Sequence, residues 1–334
     1  MATAPAGSTF RYQVYGITIA SDRPLEDLAA VAIDAGTSAH LHFVEMPSSP
    51  LPDGWAESPP VYVSPLREPD GRSRLQIFRV AGFDILAFTG IADFFLSSAG
   101  VWCRPCPGAA PAVVQAHLLS SVLAYWFEGR ERVCLHASAV SVGGLAIAVM
   151  ARSGGGKSGI VSAVAAAGHG FLTDDITVFE QGDAGTTIRR GFPVVRLWPD
   201  AARVFVGAVD DLPLVGDGSN KRRVRIDWSL PHGTALDEPT PCAALLLAER
   251  RPESDPSTAI SMTPVRGGEA VVELVRHSFV GRLVAAAGQP ETRFDRLARL
   301  AQDVPLFRMS YPTGYQHLPD VVRALERLVV RDRT

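Results

Sequence analysis

The sequence predicts an α/β fold: a β-rich domain over residues 1–108, followed by an α/β core over residues 109–334. Three observations carry this. Short segments rich in β-branched and aromatic residues fill the first part. From Val133 onward, strand-like and helix-like segments alternate. At one alternation stands a glycine-rich turn, Ala151-Arg152-Ser153-Gly154-Gly155-Gly156-Lys157-Ser158, between an apolar strand and a helix of small residues.

In chain order, residues 10–20, 40–43, 61–64, 75–80, 84–89 and 94–102 read as strands, and the proline-rich residues 46–60 as a loop. Pro111 opens a helical pattern in which Val114, His117, Leu118, Ser121, Val122 and Tyr125 recur up to Gly129. Strands follow at 134–140 and 145–150, a helix at 157–167, and strands at 171–173 and 176–180. The last third carries helical stretches near 269–286, 291–302 and 318–330, with a strand at 306–311 between the last two.

Composition excludes several classes. The 334 residues are 47% hydrophobic, enough for a sizeable core. A net charge of −3, from 32 basic and 35 acidic residues, gives no electrostatic case for nucleic acid or an anionic membrane as partner. The apolar runs at 144–150 and 243–248 fall far short of the ~20 residues of a membrane helix. The N-terminus lacks the basic start and apolar core of a secretory signal, so a cytoplasmic protein is expected. Four cysteines are too few for a disulfide scaffold. Trp102-Cys103-Arg104-Pro105-Cys106-Pro107 has redox spacing, but Pro107, Gly108 and Pro111 deny it the uninterrupted helix that activates such a thiol. Among 32 basic residues, only Lys157 and Lys221 are lysine. An arginine-biased chain keeps lysine where a compact ammonium is needed.

The glycine-rich turn has the chemistry of a phosphate-binding P-loop, or Walker A segment. Backbone N–H groups of Ser153, Gly154, Gly155, Gly156, Lys157, Ser158 and Gly159 can converge on a phosphate chain at the positive end of the following helix. Lys157 would reach the terminal phosphates of ATP, and the Ser158 hydroxyl would bind Mg²⁺. Ala151 stands where glycine is usual, which alanine tolerates if its φ is negative. The alternative is a chance Gly-Lys-Ser in a turn, against which spacing and flanks agree together.

Beyond the helix, the turn Gly168-His169-Gly170 and the strand after it would bring Asp174-Asp175 back to the loop. One carboxylate could hold Mg²⁺ while the other accepts a proton from an attacking hydroxyl; an exposed acidic turn is the plainer alternative. His136 is either a core histidine or a site residue that tunes the carboxylates. The basic segment Lys221-Arg222-Arg223-Val224-Arg225 either covers phosphates or an acidic substrate, or is a charged edge strand. Arg196 is a lesser candidate for phosphate or substrate binding.

With these residues in hand, 133–179 resembles the catalytic domain of HPr kinase/phosphorylase, whose core is similar to phosphoenolpyruvate carboxykinase. His136, the 151–158 loop, Gly168-His169 and Asp174-Asp175 carry the likeness. It implies a protein-serine kinase in which Asp174 acts as base, leaving Ser158 and Asp175 to the metal. Three features depart from that family. Gly159 replaces a glutamate, Arg190-Gly191-Phe192-Pro193-Val194 stands where Gln-Glu-Ile-Arg-Gly is expected, and no Arg-Pro-Gly-Arg-Asn segment occurs. The chain is more similar to the HPr-kinase-like enzymes of lasso-peptide gene clusters. The likeness runs through Tyr12-Gln13-Val14-Tyr15-Gly16, Leu135-His136-Ala137-Ser138, Leu197-Trp198-Pro199-Asp200 and Val304-Pro305-Leu306-Phe307-Arg308.

That resemblance implies ATP-dependent phosphorylation of the C-terminal serine of a precursor peptide. A strand edge in residues 1–108 would then pair with an extended peptide, unless that domain only shields the core or forms a homo-oligomer. The rivals are a regulatory HPr serine kinase/phosphorylase and a nucleotide-binding partner protein with little catalysis.

Overall fold

The computed structural model describes residues 10–45, 51–152, 154–207, 209–215, 219–226, 238–281, 283 and 290–331. The chain divides into two units, Met1–Gly129 with Val280–Pro290, and Arg130–Phe279 with Glu291–Thr334. The division thus follows Gly129 rather than residue 108. The helical run 111–128 packs on the first sheet: Phe127 meets Tyr15 edge-on at 5.7 Å, and Tyr125 Oη donates to Asp84 at 3.0 Å.

The first unit holds strands β1 (Phe10–Val14), β2 (Ile17–Ser21), β3 (Leu41–Glu45), β4 (Tyr62–Val63), β5 (Leu75–Val80), β6 (Phe83–Phe88), β7 (Ala92–Ser97) and β8 (Gly100–Pro105). They form one mixed sheet in the order β1-β2-β3-β8-β7-β6-β5-β4, with β2–β3 and β3–β8 parallel. Residues 10–20, expected as one strand, fold into a hairpin because Tyr15 and Gly16 both take positive φ, 52° and 70°. Two consecutive left-handed residues make the tight turn that suits strand twist. Residues 94–102 likewise belong to two strands, β7 and β8. Helices α1 (Pro111–His117) and α2 (Leu123–Glu128) join through a π turn at Leu118–Val122. Cys103 is buried in β8 and Cys106 follows that strand; burial pushes both thiol pKa values up, and neither stands at a helix N-terminus.

The second unit contains β9 (Val133–Leu135), β10 (Ala137–Val142), β11 (Leu145–Met150), β12 (Gly170–Thr173), β13 (Thr177–Gly182), β14 (Gly185–Ile188), β15 (Val194–Leu197), β16 (Arg222–Arg225), β17 (Thr240–Arg250), β18 (Ser261–Val265) and β19 (Leu306–Tyr311). The main sheet runs β12-β10-β11-β17-β14-β13-β9, with β19 on β17 and β18 on β19; β15 and β16 form a separate ribbon. Parallel pairing of β11, β17 and β19 lays three strand ends side by side. The helices are α3 (Lys157–Ala166), α4 (Pro199–Val206), α5 (Gly267–Arg276), α6 (Pro290–Asp303) and α7 (Leu318–Arg331).

Both faces of this sheet are covered, which is why β11 reads as an unbroken apolar run. Ile147 and Val149 pack with Ile160 and Val164 of α3 and Val321 and Leu325 of α7. Ala146, Ala148 and Met150 pack the other way, with Leu274 of α5 and Leu297 and Leu300 of α6. No helix among the described residues is long and apolar enough to cross a membrane.

Candidate functional site

The glycine-rich loop joins the end of β11 to the start of α3. Ala151 is not among the positive-φ residues, so alanine serves at the loop's first position. Ser153 lies outside the described residues. Gly154 and Gly156 have φ of 76° and 93°, where a side chain is strained. Gly156 is also pressed from below: an added Cβ would lie 2.1 Å from the Tyr311 hydroxyl and 2.9 Å from Arg250 Nε. Tyr311 Oη donates to the Gly155 carbonyl at 3.0 Å, and Arg250 Nε donates to Tyr311 Oη at 3.2 Å. These residues are opposite each other at the ends of β19 and β17. The neighbouring parallel strands therefore pin the loop. Lys157 Nζ donates to the Ala151 carbonyl at 3.3 Å. Burial lowers the Lys157 pKa, opposed by Asp174 and Asp175.

The return strand β12 delivers Asp174-Asp175 to the same place. The turn is tight: Asp175 has φ of 72°, and Ile176 N–H donates to the Asp174 carbonyl at 2.9 Å. Aspartate is among the few side chains that visit this region readily. The Asp174 carboxylate is 5% exposed and saturated with donors. It accepts from Ser138 Oγ at 2.5 Å, Ser158 Oγ at 3.0 and 3.1 Å, and Arg196 N–H at 2.9 Å. Asp175 takes the opposite company, with Arg196 NH1 at 2.7 Å and His136 Nε2 at 3.2 Å. Burial alone would raise the Asp175 pKa, but Arg196 and His136 together hold it well below the usual carboxylate range.

His136 reaches this site because the expected strand over 134–140 is interrupted there. Its N–H donates to the His277 carbonyl at 2.7 Å instead of joining the sheet, and its ring meets Phe279 at 5.5 Å. The side chain is 46% exposed, so it is not a core histidine.

Gly154, Gly155, Gly156, Lys157, Ser158, Gly159, Asp174, Asp175, His136 and Lys221 line one cavity of about 380 Å³, joined by Arg196 and Trp198. Lys221 Nζ lies 5.5 Å above the Trp198 ring. The chain's two lysines thus share one pocket. His169 does not join them; it pairs with Glu326 of α7 at 2.9 Å. Four site residues escaped the sequence reading. Ser138 had a signal, a buried hydroxyl in an apolar strand. Tyr311 and Arg250 had none, since only the pairing of β19 with β17 brings them beside the loop; Tyr315, in the turn after β19, lines the cavity and donates to Asp200 at 2.7 Å. Among the described residues no group of three or more His, Cys, Asp or Glu side chains could hold a metal ion.

No family model matches the chain, and no curated protein matches it. Among solved structures, the HPr(Ser) kinase/phosphatase from Coxiella burnetii is similar at 11% identity and a TM-score of 0.29, over 60% of this chain and 95% of that one. A likeness that low carries no weight for fold or function.

Proposed function

We propose that this chain is an ATP-dependent phosphotransferase of the P-loop kind, acting on a serine hydroxyl of a peptide. One observation carries the reading: the Ser158 hydroxyl, at the first turn of the helix behind the glycine-rich loop, bonds the buried Asp174 carboxylate at 3.0 Å. A hydroxyl and a fixed carboxylate together suit Mg²⁺, which takes one or two protein oxygens and draws the rest from phosphate and water.

Ser158 and Asp174 would hold Mg²⁺, which would supply positive charge against the phosphates during transfer. The chain's own residues do the positioning. Loop N–H groups and the α3 N-terminus would cradle the phosphates of ATP, and Lys157 and Lys221, both lining the cavity, would supply compact positive charge. Ser158 and Asp174 form the metal side. Asp175 and His136 form the hydroxyl side, where the carboxylate orients the attacking hydroxyl and accepts its hydrogen bond. This division reverses the one the resemblance implies, in which Asp174 is the base and Asp175 the metal ligand. The hydrogen bonds favour the reversal, because Asp174 is bonded to Ser158 and Asp175 is not among that hydroxyl's partners. Arg196 links both sides, its N–H on Asp174 and its guanidinium on Asp175.

The serine-ended precursor peptide rests on the flanking segments that resemble lasso-cluster enzymes, such as Leu197-Trp198-Pro199-Asp200. Mass spectrometry of the protein with ATP, Mg²⁺ and such a peptide tests this. A gain of one phosphoryl group, abolished in Lys157→Ala, is expected. Transfer to HPr but not the peptide, or rapid removal of the group by inorganic phosphate, would favour the regulatory enzyme. ATP binding without turnover would favour a nucleotide-binding partner protein.

A further inference from the structure

A second cavity, of about 1150 Å³, opens on the other side of the glycine-rich loop. It shares His136, Arg152, Gly154, Gly155 and Arg250 with the first cavity and then extends along the C-terminal end of α5. The two spaces meet where His136 touches Asp175. If phosphates fill the first, a hydroxyl can reach them from the second.

Size and charge narrow what the second cavity takes. Small-molecule clefts run to about 1,000 Å³, so this space suits a length of extended chain better than a small alcohol. Four arginines line it, Arg152, Arg250, Arg276 and Arg308, against two carboxylates, Glu249 and Glu273. Both carboxylates are already answered: Glu249 by Arg308, and Glu273 by Arg276 NH1 at 2.9 Å. Among the described residues, neither Arg152 nor Arg250 has an ion-pair partner, and Arg276 keeps a side chain 66% exposed. Arg308 also meets Glu269 at 3.1 Å, so the wall carries one positive charge in excess. Burial lowers the pKa of His277, which leaves it neutral at neutral pH and outside this balance.

We infer that the second cavity binds the acceptor as an extended peptide carrying a carboxylate next to its hydroxyl-bearing residue. The inference rests on the phosphotransferase reading for the word acceptor, and on cavity size and charge for the peptide and its acidity. The hydroxyl passes His136 to reach Asp175, and the neighbouring carboxylate lies against the arginines.

Three otherwise identical serine-ended peptides test it, with glutamate, glutamine or lysine directly before the serine. Binding is measured by fluorescence anisotropy without nucleotide, and transfer by mass spectrometry with ATP and Mg²⁺. The glutamate peptide should bind about tenfold more tightly than the lysine peptide, an order typical of complementary charge at a binding surface. Arg276→Glu should collapse or invert that ratio, and Arg276→Gln should reduce it. Because each ratio is taken within one variant, loss of folded protein does not mimic the effect. Equal binding of all three peptides, a preference for lysine, or a ratio unmoved in both variants overturns the inference even where transfer is seen. Glutamate-selective binding without any transfer removes the phosphotransferase reading and leaves the peptide site standing.

Discussion

Gly156→Ala tests whether the loop is held as tightly as its geometry says. The backbone at φ 93° is a conformation that L residues rarely adopt, costing alanine roughly 1–2 kcal/mol. The new Cβ would also stand 2.1 Å from the Tyr311 hydroxyl, so the tyrosine must move. Moving it breaks the bonds to the Gly155 carbonyl and from Arg250, at about 1 kcal/mol each. The single variant should lose about 3–4 kcal/mol in all. Tyr311→Phe removes the same two bonds and should cost about 2 kcal/mol. In the double variant the bonds are already gone, the obstructing oxygen is absent and the flexible Arg250 guanidinium can swing away from the new Cβ, so chiefly the backbone cost is added. The double loss should then be about 3–4 kcal/mol rather than the additive 5–6, a coupling of about 2 kcal/mol. Urea unfolding of the full chain, read by tryptophan fluorescence, measures each value. Additivity within about 0.5 kcal/mol, or a Gly156→Ala protein as stable as the parent, would refute the close approach.

Asp174→Asn should raise the Mg²⁺ concentration needed for ATP turnover by at least about tenfold, while Asp175→Asn should lower turnover with little change in that requirement; the opposite pattern in a Mg²⁺ titration would exchange the two roles. Asp175 contributes stability above the unfolded carboxyl pKa of about 3.9, because its folded pKa is depressed, and that contribution fades as pH falls further. The stability gap between the parent and Asp175→Asn should therefore narrow from pH 5 toward pH 2, and a gap independent of pH would count against the Arg196–His136 clasp. Cys103 should resist a thiol reagent until urea unfolds the chain, since burial raises its pKa; rapid labelling, or turnover that depends on reductant, would revive the redox reading.

Local signals made much of this legible in advance. The strand 145–150, the helix from Lys157, the strand 306–311 and the helix near 318–330 each fall where periodicity and turn residues put them. The gathering of the glycine-rich loop and Asp174-Asp175 around one cavity was equally readable, because both are short contiguous segments at the ends of neighbouring elements. Less legible were features set by distant chain. The hairpin at Tyr15-Gly16 needs a non-glycine residue at positive φ, which no nearby asparagine or aspartate advertised. The strand break at His136 depends on the His277 carbonyl, more than a hundred residues on. Strand β17 (Thr240–Arg250) showed only as an apolar run, and its neighbour β18 carried no clear pattern. The proposed partition of roles between Asp174 and Asp175 turns on which carboxylate Ser158 meets, and adjacency in sequence says nothing about that.

The confinement of both lysines to one pocket gives the protein an unusual chemical handle. Apart from an α-amine, Lys157 and Lys221 are the only primary amines in the chain, and both line the cavity beneath the loop. An acylating reagent that ignores guanidinium groups would leave all 30 arginines untouched, so its side-chain amine products would come from this pocket. Peptide mapping of the modified sites, with and without a candidate nucleotide, then becomes a footprint of the bound ligand that needs no engineered label. Burial lowers the Lys157 pKa, which raises its share of reactive free amine.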